Sequence, residues 1–151
     1  MSVIAWDGKT VAADKQATCA GLNLTATKLR RLPHAVIAWA GEQDSGEAMA
    51  QWFVNGADPA KWPTCQADKD LWCRLIVFHD NGTVETCERQ PVFFPMEDKI
   101  MAWGSGRDYA LGAMARGATA REAVEIACRF DTGCGMGIDE LSPLPQSRSS
   151  S

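Results

Sequence analysis

Ser2 has the most chemistry to offer of any residue in this chain. With Met1 removed it carries a free α-amine beside its own hydroxyl, and the two groups form a nucleophile with a built-in base. An α-amine in solution has a pKa of about 7.7–8.0, so roughly 10–15% of it is free base at pH 7. Such chemistry needs the N-terminus held in place. The residues that follow, Val3-Ile4-Ala5-Trp6-Asp7-Gly8-Lys9-Thr10-Val11-Ala12-Ala13-Asp14, read as a β-hairpin whose first strand is the N-terminus itself. Two other motifs look chemical and are weak. Gly8-Lys9-Thr10 ends like a phosphate-binding loop but lacks the upstream glycine and falls on the hairpin turn. Gly133-x-Gly135-x-Gly137 does not follow a strand and open a helix, as a dinucleotide-binding loop does. The six cysteines contain no C-x-x-C pair, and His34 and His79 stand far apart. Zinc sites announce themselves by such pairs, so reduced thiols are expected, with no metal and no organic cofactor.

Composition narrows the function classes. At 151 residues, 46% hydrophobic and 23% charged, the chain is expected to form one domain with a sizeable core. A net charge of −4 argues against a non-specific nucleic-acid binder. No apolar run approaches the roughly 20 residues that cross a bilayer, and the N-terminus has neither a basic nor a long apolar signal region. A cytoplasmic location is expected.

The elements that would position Ser2 follow from punctuation and periodicity. A two-residue Asp7-Gly8 turn would pair Trp6 with Lys9 and Ser2 with Ala13. Side chains alternate along a strand, so that register sets Ser2 and Asp14 on opposite faces. They would then meet only through a bulge or through the amine. Residues 15–27 are expected to hold a loop and an irregular strand, and residues 35–40 a strand buried on both faces. Ser45 is expected to cap a helix over 47–54, and residues 57–67 to form a connection without an element. Asp80-Asn81-Gly82 turns a second hairpin, and residues 100–103 form a short strand entering Gly104-Ser105-Gly106. A helix follows from Arg107, and Thr119-Ala120-Arg121-Glu122 is a capping box opening another. Cys128 falls on that helix's apolar face. Strands in hairpins with clustered helices suggest an α+β protein, a largely antiparallel sheet system covered by helices. Residues 1–141 are expected to form the domain, and residues 142–151 a disordered tail.

The order of these residues resembles the proteasome-type family of N-terminal-nucleophile hydrolases, and within it the bacterial HslV-like peptidases. Asp14-Lys15-Gln16-Ala17-Thr18 is similar to that family's Asp-Gly-Gln-Ala-Thr, and Lys28-Leu29-Arg30-Arg31-Leu32 to its Lys-Val-Arg-Arg-Leu. Gly104-Ser105-Gly106-Arg107-Asp108-Tyr109-Ala110 resembles Gly-Ser-Gly-Gly-Pro-Tyr-Ala, and Thr119-Ala120-Arg121-Glu122 resembles Ser-Ala-Arg-Glu. The resemblance implies a four-layer αββα sandwich with a reduced helical layer, because the stretch before Leu71 is short. It implies that Ser2 attacks a carbonyl, that Lys28 disfavours the protonated amine, and that Asp14 holds Lys28. Gly41 would supply the oxyanion N–H, while Ser105, Asp131 and Cys134 support the amine. Thr18 and Trp39 would line the substrate pocket. Serine stands where the family usually has threonine. The resemblance further implies a peptide or unfolded-polypeptide substrate, a homo-oligomeric ring and an ATP-dependent unfoldase as a partner. An inactive structural or regulatory ring protein and a small-molecule amidase are the alternatives.

Overall fold

A computed structural model of the chain describes residues 2–144. The expectation of disorder beyond residue 144 lies outside the described residues.

Three hydrophobic layers build the molecule. Strands β1 (Ile4–Trp6), β2 (Val11–Asp14), β10 (Met101–Trp103) and β11 (Ile138–Leu141) form one antiparallel sheet in the order β10-β1-β2-β11. Strands β5 (Leu29–Arg31), β6 (Ala35–Gly41), β7 (Cys73–His79), β8 (Val84–Cys87) and β9 (Phe94–Met96) form the second, in sequence order. Strand alternation divides the apolar residues between faces. Ile4, Trp6, Val11 and Ala13 meet Val36, Ala38, Ile76 and Phe78 between the sheets. Trp6 and Trp103 flank Phe78 there, with ring centroids 5.0 and 5.9 Å away. Val3, Ala5 and Ala12 face the helices α2 (Arg107–Ala115) and α3 (Ala120–Phe130). Ala35, Ile37 and Trp39 face α1 (Gln43–Val54). The result is the αββα sandwich, with one helix on one side and two on the other. Two short 3₁₀ turns, Pro59–Lys61 and Thr64–Ala67, extend the single-helix layer where a bare connection was expected.

The first hairpin corrects the expected register. Trp6 pairs with Val11 and Ile4 with Ala13, so residues 7–10 form a four-residue loop. Asp7 causes this. Its Oδ1 accepts the N–H groups of Lys9 (2.9 Å) and Thr10 (2.7 Å), and its Oδ2 accepts the N–H of Ala120 at the start of α3. One carboxylate thus closes a turn and satisfies an orphan helix donor, which a two-residue turn would not permit. The register moves by two residues, so the facing is unchanged and Ser2 and Asp14 still alternate.

Other boundaries moved for similar local reasons. Residues 16–25 form a hairpin, β3 (Gln16–Cys19) with β4 (Leu22–Thr25), turning through Ala20 (φ +50°) and Gly21 (φ +81°). Ala-Gly is a poor signal for that turn, whose first position favours asparagine or glycine. Helix α1 starts at Gln43, earlier than the expected cap at Ser45. Ser45 is buried inside the helix and its hydroxyl donates to the Leu71 carbonyl. The capping box at Thr119 and Glu122 forms as read. Strands β9 and β11 add to the expected elements. β9 contains Pro95, which an edge strand tolerates because its N–H is not needed by the ladder.

Candidate active site

Asp14 is the most constrained residue of the site. It ends β2 with no exposure to solvent, and four donors saturate its carboxylate. Oδ1 accepts the Val3 N–H at 3.0 Å and the Lys28 ammonium at 2.7 Å. Oδ2 accepts the N–H groups of Gln16 at 3.2 Å and Gly135 at 3.1 Å. Lys28, just before β5, is 4% exposed. A buried charge is tolerated only when paired and hydrogen-bonded, and here both conditions hold. This also resolves the opposite-face difficulty. Asp14 does not reach across the strand to the Ser2 hydroxyl; it holds the peptide N–H that follows Ser2 and carries Lys28 to the cleft that Ser2 lines.

Ser2 is 5% exposed, held by the loop between β10 and α2. Its carbonyl accepts the Gly106 N–H at 3.1 Å and lies 3.4 Å from the Ser105 hydroxyl. Gly104 has φ +96°, and a Cβ there would overlap the Ser2 carbonyl and come within 3.0 Å of its Oγ. A Cβ at Gly106 would sit 3.0 Å from Val3 Cβ and from Cys134 Sγ. The two glycines therefore allow a backbone cradle to close around Ser2.

Asp131 and Cys134 lie in the loop between α3 and β11. The Ser105 hydroxyl, and then the Gly133 N–H at 2.8 Å, hold the Asp131 carboxyl below the usual carboxylate range. The Cys134 thiol donates to Asp131 Oδ2 at 3.5 Å, and burial pushes its pKa up to about 12. It is a neutral donor at physiological pH and no rival nucleophile. Gln16, absent from the expected set, ties this loop to the front of the site. It is 6% exposed, its side-chain amide donates to the Thr132 carbonyl at 3.0 Å, and its backbone N–H is one of the four donors on Asp14. Its place beside Asp14 in the Asp-x-Gln-Ala-Thr segment was the available signal.

A cleft of about 330 Å³ opens in front of Ser2. Lys28 and Gly41 line it with Ser2; Thr18 and Leu24 come from the β3–β4 hairpin, and Glu42 and Asp44 from the start of α1. Gly41 has φ +132°, and a Cβ there would come within 2.7 Å of the Trp72 carbonyl oxygen, so no other residue fits that backbone. Among the expected site residues, Ser2, Thr18, Lys28 and Gly41 share the cleft wall. Asp14, Ser105, Asp131 and Cys134 are grouped behind it.

Trp39 is placed elsewhere. It is 1% exposed under α1, its ring meets the position where a Cβ on Gly46 would project, and Arg30 stacks over it at 5.3 Å. In β6 the face of Ala35, Ile37 and Trp39 packs on the helix, which keeps the indole out of the substrate cleft. The start of α1 takes the wall position instead. Gly8-Lys9-Thr10 sits in the first hairpin's loop, as its sequence context indicated.

An αββα sandwich of this topology is the HslV-like, proteasome-type fold of N-terminal-nucleophile hydrolases. Solved structures share it at low sequence identity. BPH from Thiobacillus denitrificans, in complex with epoxomicin, has a TM-score of 0.70 and 19% identity over 96% of this chain and 100% of that one. HslV from Trypanosoma brucei has a TM-score of 0.66 and 24% identity over 93% and 97%. A Gly-1 mutant of Anbu from Hyphomicrobium sp. strain MC1 has a TM-score of 0.70 and 14% identity over 94% and 81%. No protein-family model and no curated protein matches the chain. Among the described residues, no helix is long and apolar enough to cross a membrane.

Proposed function

We propose that this protein is an N-terminal-nucleophile hydrolase of peptide or amide bonds, with Ser2 as the nucleophile once Met1 has been removed. One observation carries the reading: Lys28, held from behind by a buried ion pair with Asp14 at 2.7 Å, stands in the wall of the cleft that Ser2 lines. A fixed ammonium near an α-amine disfavours the protonated amine and so supplies more of the free base. In the first step the Ser2 amine takes the hydroxyl proton while Oγ attacks the substrate carbonyl carbon. The resulting oxyanion is met by the Gly41 N–H. The amine then gives its proton to the departing nitrogen, the C–N bond breaks, and an ester links the acyl group to Ser2. Water, activated by the same amine, hydrolyses that ester and restores the hydroxyl. Asp14 keeps Lys28 in place, and Ser105, Asp131 and Cys134 fix the N-terminal residue from behind. Thr18 and the rest of the β3–β4 hairpin receive the substrate.

The fold neighbours include an HslV and a proteasome-type protein bound to epoxomicin. They support a peptide substrate and assembly into a homo-oligomeric ring. A cytoplasmic location and an unfoldase that delivers polypeptide belong to this proposal on the sequence resemblance alone.

Intact mass and active-site labelling test the proposal. Intact mass should show Met1 absent. A β-lactone should then add its full mass to the N-terminal peptide, by ring opening onto Ser2 Oγ, and Ser2→Ala should take up none. An unlabelled N-terminal peptide in protein shown to lack Met1 would overturn the assignment.

A further inference from the structure

We infer that Gln66, a residue outside the cleft, positions the backbone of Gly41 and thereby the N–H that meets the oxyanion. The inference rests on the reading of Ser2 as nucleophile and adds a positioning residue to its site.

The Gly41 N–H is free because of where β5 begins. Trp39, two residues earlier in β6, donates its N–H to the Lys28 carbonyl at 3.2 Å. Every second residue of a strand presents its N–H to the same side, so the Gly41 N–H points the same way. Strand β5 starts at Leu29, opposite Ala38, and ends short of Gly41. On its other side Gly41 faces Cys73 of β7, and by the same alternation the two exchange no hydrogen bond. Packing alone sets the glycine there: a Cβ on it would lie 2.8 and 2.9 Å from Cys73 Cα and Cβ. A drift of the Cys73 backbone therefore carries the Gly41 peptide with it.

Cys73 lacks a strand partner of its own. The β7–β8 ladder runs from Phe78 opposite Val84 to Leu75 opposite Cys87, and there β8 ends. The register would next set Arg89 against Cys73, and the side chain of Gln66 fills that gap. Its Oε1 accepts the Cys73 N–H at 2.9 Å, and its Nε2 donates to the Cys73 carbonyl at 2.7 Å and to the Glu88 carbonyl. A side-chain amide offers the same donor and acceptor as a peptide group, so Gln66 splices the end of β7 to the end of β8. Gln66 has no exposure to solvent, and its own N–H donates to the Pro63 carbonyl at 3.2 Å within the 3₁₀ turn Thr64–Ala67. The connection expected to carry no element thus holds the clamp behind Gly41.

Acylation of Ser2 by a β-lactone tests the inference, because the ring opens through an oxyanion. Gln66→Met keeps the volume and removes all three side-chain bonds; Gln66→Asn keeps the amide on a stem one methylene shorter. In Gln66→Met the limiting acylation rate should fall about 10–100-fold, with the half-saturating lactone concentration and the pH midpoint of acylation unchanged. Hydrogen exchange by mass spectrometry should quicken about tenfold in peptides covering Gly41 and Cys73. Gln66→Asn should show the same pattern with about a threefold to tenfold loss of rate, and it decides the question if Gln66→Met does not fold. Undiminished acylation in the folded variant overturns the positioning role. So does a loss accompanied by a shifted pH midpoint or a raised half-saturating concentration, which would mean a general collapse of the site. Wild-type protein that lacks Met1 and takes up no lactone overturns the hydrolase reading. Exchange then judges Gln66 by itself: faster exchange at Gly41 and Cys73 in the variants upholds the clamp, and unchanged exchange overturns it.

Discussion

The cleft has two walls built on opposite principles. The inner wall, Asp14 with Lys28 behind Ser2, is almost free of solvent: Asp14 is 0% exposed, and all four of its acceptor positions are filled. The outer wall is the β3–β4 hairpin, whose second strand is exposed at every residue, with Leu22 at 63% and Leu24 at 47%. Its side chains make few polar contacts, such as Thr18 with Asn23 at 3.5 Å. One wall fixes reacting atoms and pays for burial with complete hydrogen bonding. The other wall only has to meet what enters. Changes on the inner wall should therefore act on stability and chemistry together, and changes on the outer wall on selectivity.

Asp14→Ala should have the largest effect. It strands the buried Lys28 ammonium and three backbone N–H groups at once, so a loss of about 3–5 kcal/mol in urea unfolding is expected. Lys28→Met is the sharper companion. It leaves the Asp14 carboxylate with the N–H groups of Val3, Gln16 and Gly135. Its stability cost should be smaller, about 1–3 kcal/mol, while labelling of Ser2 by the β-lactone is lost. Equal destabilisation by both variants would mean that the ion pair itself, not the carboxylate's full set of donors, holds the wall.

The inner wall was the more legible part of the sequence. Asp14 and Lys28 stand on either side of a segment whose neighbours, the β2 and β6 runs, alternate or fill both faces clearly enough to fix the strands. Gly104-Ser105-Gly106 was legible as the turn between a short strand and a helix, and its close approach to Ser2 shows only in three dimensions. Where the reading failed, a tertiary contact decided the outcome. Asp7 opened the hairpin loop because it could also serve α3, a partner 113 residues away. Strand β11 forms because β2 offers it an edge, although Ile-Asp-Glu-Leu has little strand preference of its own. Trp39 went to the helix side because Gly46 leaves room for a ring, a complementarity visible only once α1 is docked. The outer hairpin was missed because its turn is Ala20-Gly21 and its second strand buries nothing.

Cysteines extend the contrast. Cys19 is exposed on the outer wall, whereas Cys134 is buried on the inner one. Iodoacetamide at pH 8 should modify Cys19 well before Cys134, as peptide mapping would show. Burial also raises Cys73 to about 12, and Cys87 and Cys128 to about 11, from an ordinary 9.0. Raised folded values mean that the folded protein keeps protons which the unfolded chain releases. This stabilisation is complete below pH 9 and lost as pH rises toward 11–12. The melting temperature should fall across that window, and replacing Cys134 by serine should lessen the fall. A melting temperature flat from pH 8.5 to 10.5 would show that these thiols are less secluded than their packing indicates.

Leu24→Ser should have the smallest effect on the fold. Leu24 is half exposed on a strand with one free edge, so the change in stability should stay within about 0.5 kcal/mol. The residue nevertheless lines the cleft that Ser2 lines. Loss of its apolar surface should raise KM for peptides with large apolar side chains while leaving the rate of Ser2 acylation by a small β-lactone unchanged. That split, in KM but not in acylation, is what a wall used for recognition predicts. A drop in acylation rate from so exposed a position would instead mean that the hairpin helps to hold Ser2, and the two walls would have to be treated as one.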